Sequence, residues 1–227
     1  MSYANQTGDG MLPMLFGPPG AGKGTQAELL SRQTGLPHIS GGDLVREAAA
    51  RGGEIGSKID AVIRSGGIFD GPLALQLIVK RLQLPDCALG AILDGCARTV
   101  GQASMLDRML SDLGRPITAV IALNVADRVA RRRLLSRVVA PPVHGTADRA
   151  AVAGLEATPR HKLETVYRRP DDEPSVIEKR QFVYHQSTAP ALEYYRHRGL
   201  VRDIDGERPA DEVHLSILDA LRLAEAF

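Results

Sequence analysis

Nine residues near the start of the chain, Gly17-Pro18-Pro19-Gly20-Ala21-Gly22-Lys23-Gly24-Thr25, have the composition of a loop that wraps a phosphate. The glycines let backbone N–H groups turn inward, and a helix that follows adds the positive end of its dipole. Lys23 supplies a mobile point charge for the outer phosphates of a nucleotide. The strict phosphate-loop pattern asks for Ser or Thr directly after the lysine. Here that place is Gly24, and Thr25 follows one residue later. The chain also holds 23 Arg against 5 Lys. A planar guanidinium grips phosphate with two parallel hydrogen bonds. Genomic base composition produces the same excess, so only position separates the two explanations.

Such a loop needs a strand to enter from and a helix to leave by. Met11–Phe16 reads as the strand, starting late because of Pro13, and Gly22 to about Thr34 as the helix. Short apolar runs then alternate with longer amphipathic ones, which predicts an α/β fold around a parallel sheet. Further strands are expected at Leu36–Ser40, Ala88–Leu93, Ile117–Val125 and Leu200–Ile204. Helices are expected at Asp43–Ala50, Ile55–Arg64, Leu73–Arg81, Gln102–Leu113, Arg128–Arg137, Pro174–Arg198 and Ala210–Glu225. Two segments break the rhythm. Gly41–Gly71 carries two helices with no strand between them, and Val138–Tyr167 is rich in Ala, Pro and Gly with weak periodicity. The second is longer than an ordinary connection.

Composition narrows the function classes. At 227 residues, 44% hydrophobic and 24% charged, the chain has the balance of a soluble globular protein. A net charge of +1 gives no bulk case for nucleic acid or an acidic membrane as partner. No apolar run approaches the roughly 20 residues a membrane helix needs, and Met1–Gly10 lacks a basic-then-apolar leader. Cys87 and Cys96 make neither a disulfide framework nor a four-cysteine zinc site, so no zinc is expected and a reducing cytoplasm is the natural compartment.

Other candidates lie downstream. Asp94 ends an apolar run; there it either caps the following turn or faces the ligand crevice at the strand's C-terminal end. Arg133 and Arg137 stand i, i+4 and are expected on one helix face, whereas Arg131 and Arg132 read as solvated. The histidines show no metal spacing.

The chain resembles the adenylate kinase family of nucleoside monophosphate kinases over nearly its whole length. Gly-x-Pro-Gly-x-Gly-Lys-Gly-Thr is similar to that family's phosphate loop. His38-Ile39-Ser40-Gly41-Gly42-Asp43-Leu44-Val45-Arg46 is similar to its second motif, and Leu93-Asp94-Gly95-Cys96-Ala97-Arg98-Thr99-Val100-Gly101-Gln102 to its third. Arg133 to Arg137 has the spacing of its two lid arginines. Arg169-Pro170-Asp171-Asp172 with Lys179-Arg180 resembles the far side of its lid, and Tyr194-Tyr195 with Ile204-Asp205-Gly206 its C-terminal end. Arg169 is chosen over Arg168 because it stands two residues before Asp171.

The resemblance implies a P-loop NTPase-type core spanning 1–227, with a parallel five-stranded sheet, an acceptor-binding flap at 41–71 and a lid at 138–168. It implies that the γ-phosphoryl of ATP passes to AMP, giving two ADP, with Mg²⁺. The catalytic cations would be Lys23, Arg98, Arg133, Arg137, Arg169 and Arg180. ATP would lie on Gly17, Gly20, Ala21, Gly22, Lys23, Gly24, Thr25, Arg133, Arg137 and Arg208. AMP would lie on Gly41, Arg46, Phe69, Gly95, Arg98, Gln102, Arg169 and Arg180. Asp94 would organise the metal through water, since Mg²⁺ dehydrates reluctantly. Asp171 and Asp172 would tie the lid's return helix to its hinge. By analogy the chain would be a monomer.

Departures from the family pattern cluster on the acceptor side. Gly41 stands where Thr is usual, and Cys96-Ala97 where Phe-Pro is usual. These are expected to enlarge the base pocket and weaken discrimination, while Gln102 keeps an amide suited to adenine. Two alternatives follow: a kinase for another or a broader set of nucleoside monophosphates, and a nucleotide-binding protein with little turnover.

Overall fold

The computed structural model describes residues 10–69, 72–137 and 169–224. Five parallel strands form its centre: β1 (Pro13–Phe16), β2 (His38–Ser40), β3 (Ile92–Asp94), β4 (Ala119–Asn124) and β5 (Val201–Asp205), in the order β2-β3-β1-β4-β5. In the central strand Met14 lies beside Leu93 and Val120, and Leu15 beside Asp94 and Ile121.

Nine helices are described: α1 (Lys23–Thr34), α2 (Gly41–Ala50), α3 (Gly53–Arg64), α4 (Pro72–Leu82), α5 (Val100–Asp112), α6 (Asp127–Leu135), α7 (Pro174–Val183), α8 (Ala189–Arg196) and α9 (Ala210–Ala224). Successive strand side chains point to opposite faces, and here both faces are covered. Met14, Phe16, Leu93, Val120 and Ala122 join one core with α4, α5 and α8, in which the Tyr195 ring packs edge-on against Phe16. Leu15, Ile92, Ile121 and Leu123 join the other with α1 and α9. That double burial is why the central strands β1 and β4 read as apolar runs.

The strands, their parallel pairing and the helices between them agree with the sequence expectation; several boundaries do not. The third strand begins at Ile92 rather than Ala88, because Pro85–Cys87 forms a 3-10 turn and Gly90 then takes a φ of +131°. Asp94 thereby becomes the last residue of β3. The second helix starts at Gly41 rather than Asp43, since the Ser40 hydroxyl accepts the Asp43 N–H at 3.1 Å and caps it. The sixth helix stops at Leu135, so Arg137 lies beyond its C-cap Ser136 and does not share a helix face with Arg133.

The long helix expected at Pro174–Arg198 is divided. Tyr184–Thr188 forms a π-helical turn between α7 and α8, in which the Ala189 N–H donates to the Tyr184 carbonyl five residues back. Pro190 follows at once and has no N–H to continue an α-helical ladder. Single π turns of this kind concentrate at functional sites. The expected lid, 138–168, and the last two residues of the expected flap, 70–71, lie outside the described residues.

Leu30 anchors α1 to the sheet at zero exposure. Leu30→Ala should destabilise the protein by about 2–5 kcal/mol through the cavity it leaves, read as a lowered urea midpoint at unchanged slope. A loss below about 1 kcal/mol would show that α1 is not held by this contact.

Candidate active site

The C-terminal ends of β1 and β3 open into one cavity of about 770 Å³. On its floor, the loop after β1 turns into α1 through Gly22, whose φ is +97°. No side chain caps this helix end, so the first-turn N–H groups, at residues that line the cavity, are available to an anion. Gly20 sits where a Cβ would collide with the Ala130 carbonyl of α6, which fixes glycine there. Gly17, Gly20, Gly22, Lys23, Gly24 and Thr25 line the cavity as expected. Ala21 does not: its side chain is buried in the core shared with α1 and α9, and its N–H donates to the Pro18 carbonyl at 3.0 Å.

Lys23 Nζ donates to the Gly17 and Pro18 carbonyls at 2.8 and 2.9 Å. Burial lowers its pKa to about 8; Asp94 opposes the fall, and Arg98, Arg180 and Arg137 add to it. Around it stand Arg46, Arg98, Arg133, Arg137, Arg169 and Arg180, all on the cavity wall. Burial also pushes the guanidinium pKa values of Arg98, Arg169 and Arg180 down, with neighbouring arginines among the further causes. Like charges gathered in a half-dry cavity are unfavourable unless an anion joins them.

Three aspartates aim most of this set. Arg137 makes a two-pronged bond to Asp172, at 2.9 Å from Nε and 2.7 Å from Nη2. Arg180 Nη1 reaches the Asp171 and Asp172 carboxylates at 3.0 and 3.2 Å. Asp172, at zero exposure, bonds both Arg137, after α6, and Arg180 of α7. Arg46 Nη2 donates to Asp43 Oδ1 at 2.6 Å, and Arg169 lies 4.0 Å from the same oxygen. Burial would raise the Asp43 carboxyl, yet Arg46, the Ser40 hydroxyl and Arg169 together hold it at about 2. Sequence reasoning missed Asp43; its i, i+3 spacing to Arg46 was the available signal.

Arg133 lines the cavity with its guanidinium held by the Gly206 and Glu207 carbonyls, at 2.8 and 3.3 Å. Arg208 is not brought to the cavity. Its side chain is engaged by Ser216 at 2.9 Å and lies 3.7 Å from Asp205.

Arg46 and Arg98 converge over Gly42, where an added Cβ would lie 3.2 Å from one Nη2 and 3.3 Å from the other. Gly41, Phe69, Gly95 and Gln102 line the same region. The Gln102 amide is already committed. Its Oε1 accepts the Arg98 N–H at 2.8 Å and its Nε2 donates to the Phe69 carbonyl at 3.2 Å. One amide hydrogen and one oxygen lone pair remain.

The expected enlargement at Gly41 is absent. A Cβ there would stand 2.9 Å from the Gly95 carbonyl oxygen and 3.2 Å from Cys96 Cα, so the loop after β3 has closed into the place of a side chain. Cys96 is buried, with its sulfur 3.7 Å from the Ile39 and Asp94 carbonyl oxygens. Burial, with Asp94 beside it, pushes its thiol up to about 12.

Asp94 lies across from the loop, its Oδ2 3.7 Å from where a Cβ on Gly24 would stand and 3.5 Å from His38 Nε2. Among the described residues no group of three or more His, Cys, Asp and Glu forms a metal cluster. One carboxylate beside a phosphate loop is nonetheless the donor set Mg²⁺ uses, because it takes its other ligands from water and phosphate. His38, unassigned from the sequence, proves to be the neighbour of that carboxylate.

Comparison with known proteins agrees with this geometry. A family model described as adenylate kinase matches residues 15–200. An adenylate kinase of Anaeromyxobacter sp. (strain K) is 39% identical over 203 residues, covering 86% of this chain and 92% of that protein. That of Methanocella arvoryzae is 38% identical over 221 residues, covering 92% and 97%. That of Archaeoglobus fulgidus is 36% identical over 212 residues, covering 88% and 93%. A phosphate loop facing converging arginines and a strand-end aspartate, together with this similarity along most of the chain, establishes that the chain belongs to the adenylate kinase family.

Proposed function

We propose that the protein is an ATP:AMP phosphotransferase that converts ATP and AMP reversibly into two ADP. The observation that carries this reading is the convergence of Lys23 with six arginines on one cavity floored by a phosphate loop. Two nucleotides and a phosphoryl in transit bring several negative charges together, and only such a set neutralises them. Phosphoryl transfer leaves the protein little covalent work; its task is to hold two anions in line, stabilise the moving charge and exclude water.

Lys23 and the first-turn N–H groups of α1 would hold the outer phosphates of ATP. Arg46 and Arg98 would hold the AMP phosphate. Arg137, Arg169 and Arg180 would surround the transferring group, aimed by Asp172, Asp43 and Asp171. Arg133 would lie against the donor nucleotide. Asp94 would hold Mg²⁺ through water, and the bound metal would supply further neutralisation of the donor phosphates. No general base is required, since the attacking phosphate oxygen carries no proton to remove. Segments 41–71 and 138–168 would be the acceptor flap and the donor lid, closing to expel water and suppress hydrolysis. Among the described residues no helix is long and apolar enough to cross a membrane. A monomer in the reducing cytoplasm fits the two buried, unpaired thiols.

A coupled assay of ADP formation over AMP, GMP, CMP, UMP and dAMP tests the substrate assignment, with AMP expected to be the best acceptor. Lys23→Ala and Arg98→Ala should each lower turnover on the order of 10²–10³-fold, as losing one preorganised charge contact does. Either variant, folded by circular dichroism, that kept half the parent rate would remove that residue from the machinery.

The lowered pKa of Lys23 gives a pH signature. Below about 8 its ammonium is charged and above it neutral. The kcat/KM for ATP, which reports the free enzyme, should therefore fall as pH rises through this value. The kcat should persist to higher pH, because bound phosphates favour the charged form. Profiles of kcat/KM and kcat that fall together would show that the titrating group is not in contact with the donor phosphates.

A further inference from the structure

Arg98 is held differently from Arg46, Arg137 and Arg180. Arg46, Arg137 and Arg180 are each aimed by a carboxylate through charged hydrogen bonds. Among the described residues no carboxylate lies within hydrogen-bonding distance of Arg98, whose side chain makes one long donation, Nε to the Gly95 carbonyl at 3.4 Å. Its backbone is fixed instead, on both sides. The N–H donates to Gln102 Oε1 at 2.8 Å, and the carbonyl accepts the Thr188 hydroxyl at 3.1 Å.

Thr188 closes the π-helical turn Tyr184–Thr188 and lines the cavity. It follows α7, which carries Arg180 and through it the Asp171–Asp172 pair. The hydroxyl thus joins the helix that steers the transfer arginines to the residue that faces the acceptor. With only one long bond on its side chain, the Arg98 guanidinium keeps rotamer freedom, and fixing the backbone from which it projects narrows the directions open to it.

We propose that Thr188 is a positioning residue: by holding the Arg98 carbonyl it sets the direction of the Arg98 guanidinium towards the acceptor phosphate. This rests on the assignment of Arg98 to that phosphate. The π turn has a purpose on this reading. It supplies the local widening that presents the hydroxyl of residue 188 to the loop after β3 while the helix continues past Pro190.

The test compares Thr188→Val, which keeps the shape and removes the donor, with Thr188→Ser, which keeps the donor. Dissociation constants for AMP and for ATP are measured by calorimetry on the full chain, with folding checked by circular dichroism. Removing one neutral hydrogen bond that acts through Arg98 should weaken AMP binding about 3- to 10-fold in Thr188→Val. ATP binding should stay within about twofold, and Thr188→Ser should restore AMP binding to within about twofold. In an Arg98→Ala background, Thr188→Val should add nothing further, since the group it positions is gone. Unchanged AMP binding in Thr188→Val, equal weakening by Val and Ser, equal losses for ATP and AMP, or full additivity with Arg98→Ala would each overturn the proposal. Thr188→Ala replaces the Val variant under the same criteria if the latter does not fold. Unchanged AMP binding in Arg98→Ala would overturn the assignment of Arg98 and this proposal with it. Weakened binding there with unchanged binding in Thr188→Val would overturn this proposal alone.

Discussion

Mutual repulsion among buried cations is the constraint around which this molecule is arranged. Lys23, Arg98, Arg169 and Arg180 all have pKa values lowered by burial, with neighbouring positive groups adding to the fall. A fold tolerates such a cluster only if something else supplies the opposite charge. Asp43, Asp171 and Asp172 supply part of it, each paired with one or more arginines. Their charge does not balance the set, and the excess is what makes the cavity an anion site. The same excess sets the chemistry: a transferring phosphoryl finds its charge compensation already in place, with no reorganisation at the moment of reaction.

The sheet exists, for this purpose, to bring two strand ends together. The register that puts Leu15 beside Asp94 places the phosphate loop and the Asp94 carboxylate at one edge. The apolar faces on either side hold that edge rigid, since close-packed interiors transmit strain rather than absorb it. The other cations of the cavity come from segments beyond the strand ends: Arg46 from α2, Arg137 from just past α6, Arg180 from α7. The carboxylate pairs fix these cations relative to one another.

The region around Gly41 shows how a small residue is accommodated. The absence of a side chain at position 41 does not leave a hole; the loop after β3 lies against the backbone there. The Gln102 amide spends half of its hydrogen-bonding capacity on the Arg98 N–H and the Phe69 carbonyl. The amide and Arg98 are therefore coupled, and a change at one is felt at the other.

The amino-acid sequence by itself determined the family, the parallel sheet, the phosphate loop and the identity of nearly every cation in the cavity. It could do so because these depend on residue types at short, fixed spacings: apolar runs of strand length, glycines around a lysine, arginines at motif positions. Only the tertiary structure decided which partners aim those cations. Asp43 with Arg169, Asp172 with Arg137, and Thr188 with the Arg98 carbonyl join different elements whose approach no local pattern encodes. It also decided that Arg137 leaves the helix face of Arg133, that Ala21 turns into the core, that Arg208 points away, and that Gly41 is filled from outside. The cases of Ala21 and Gly41 follow from close packing between segments far apart in the chain, where the space left by one backbone is set by another.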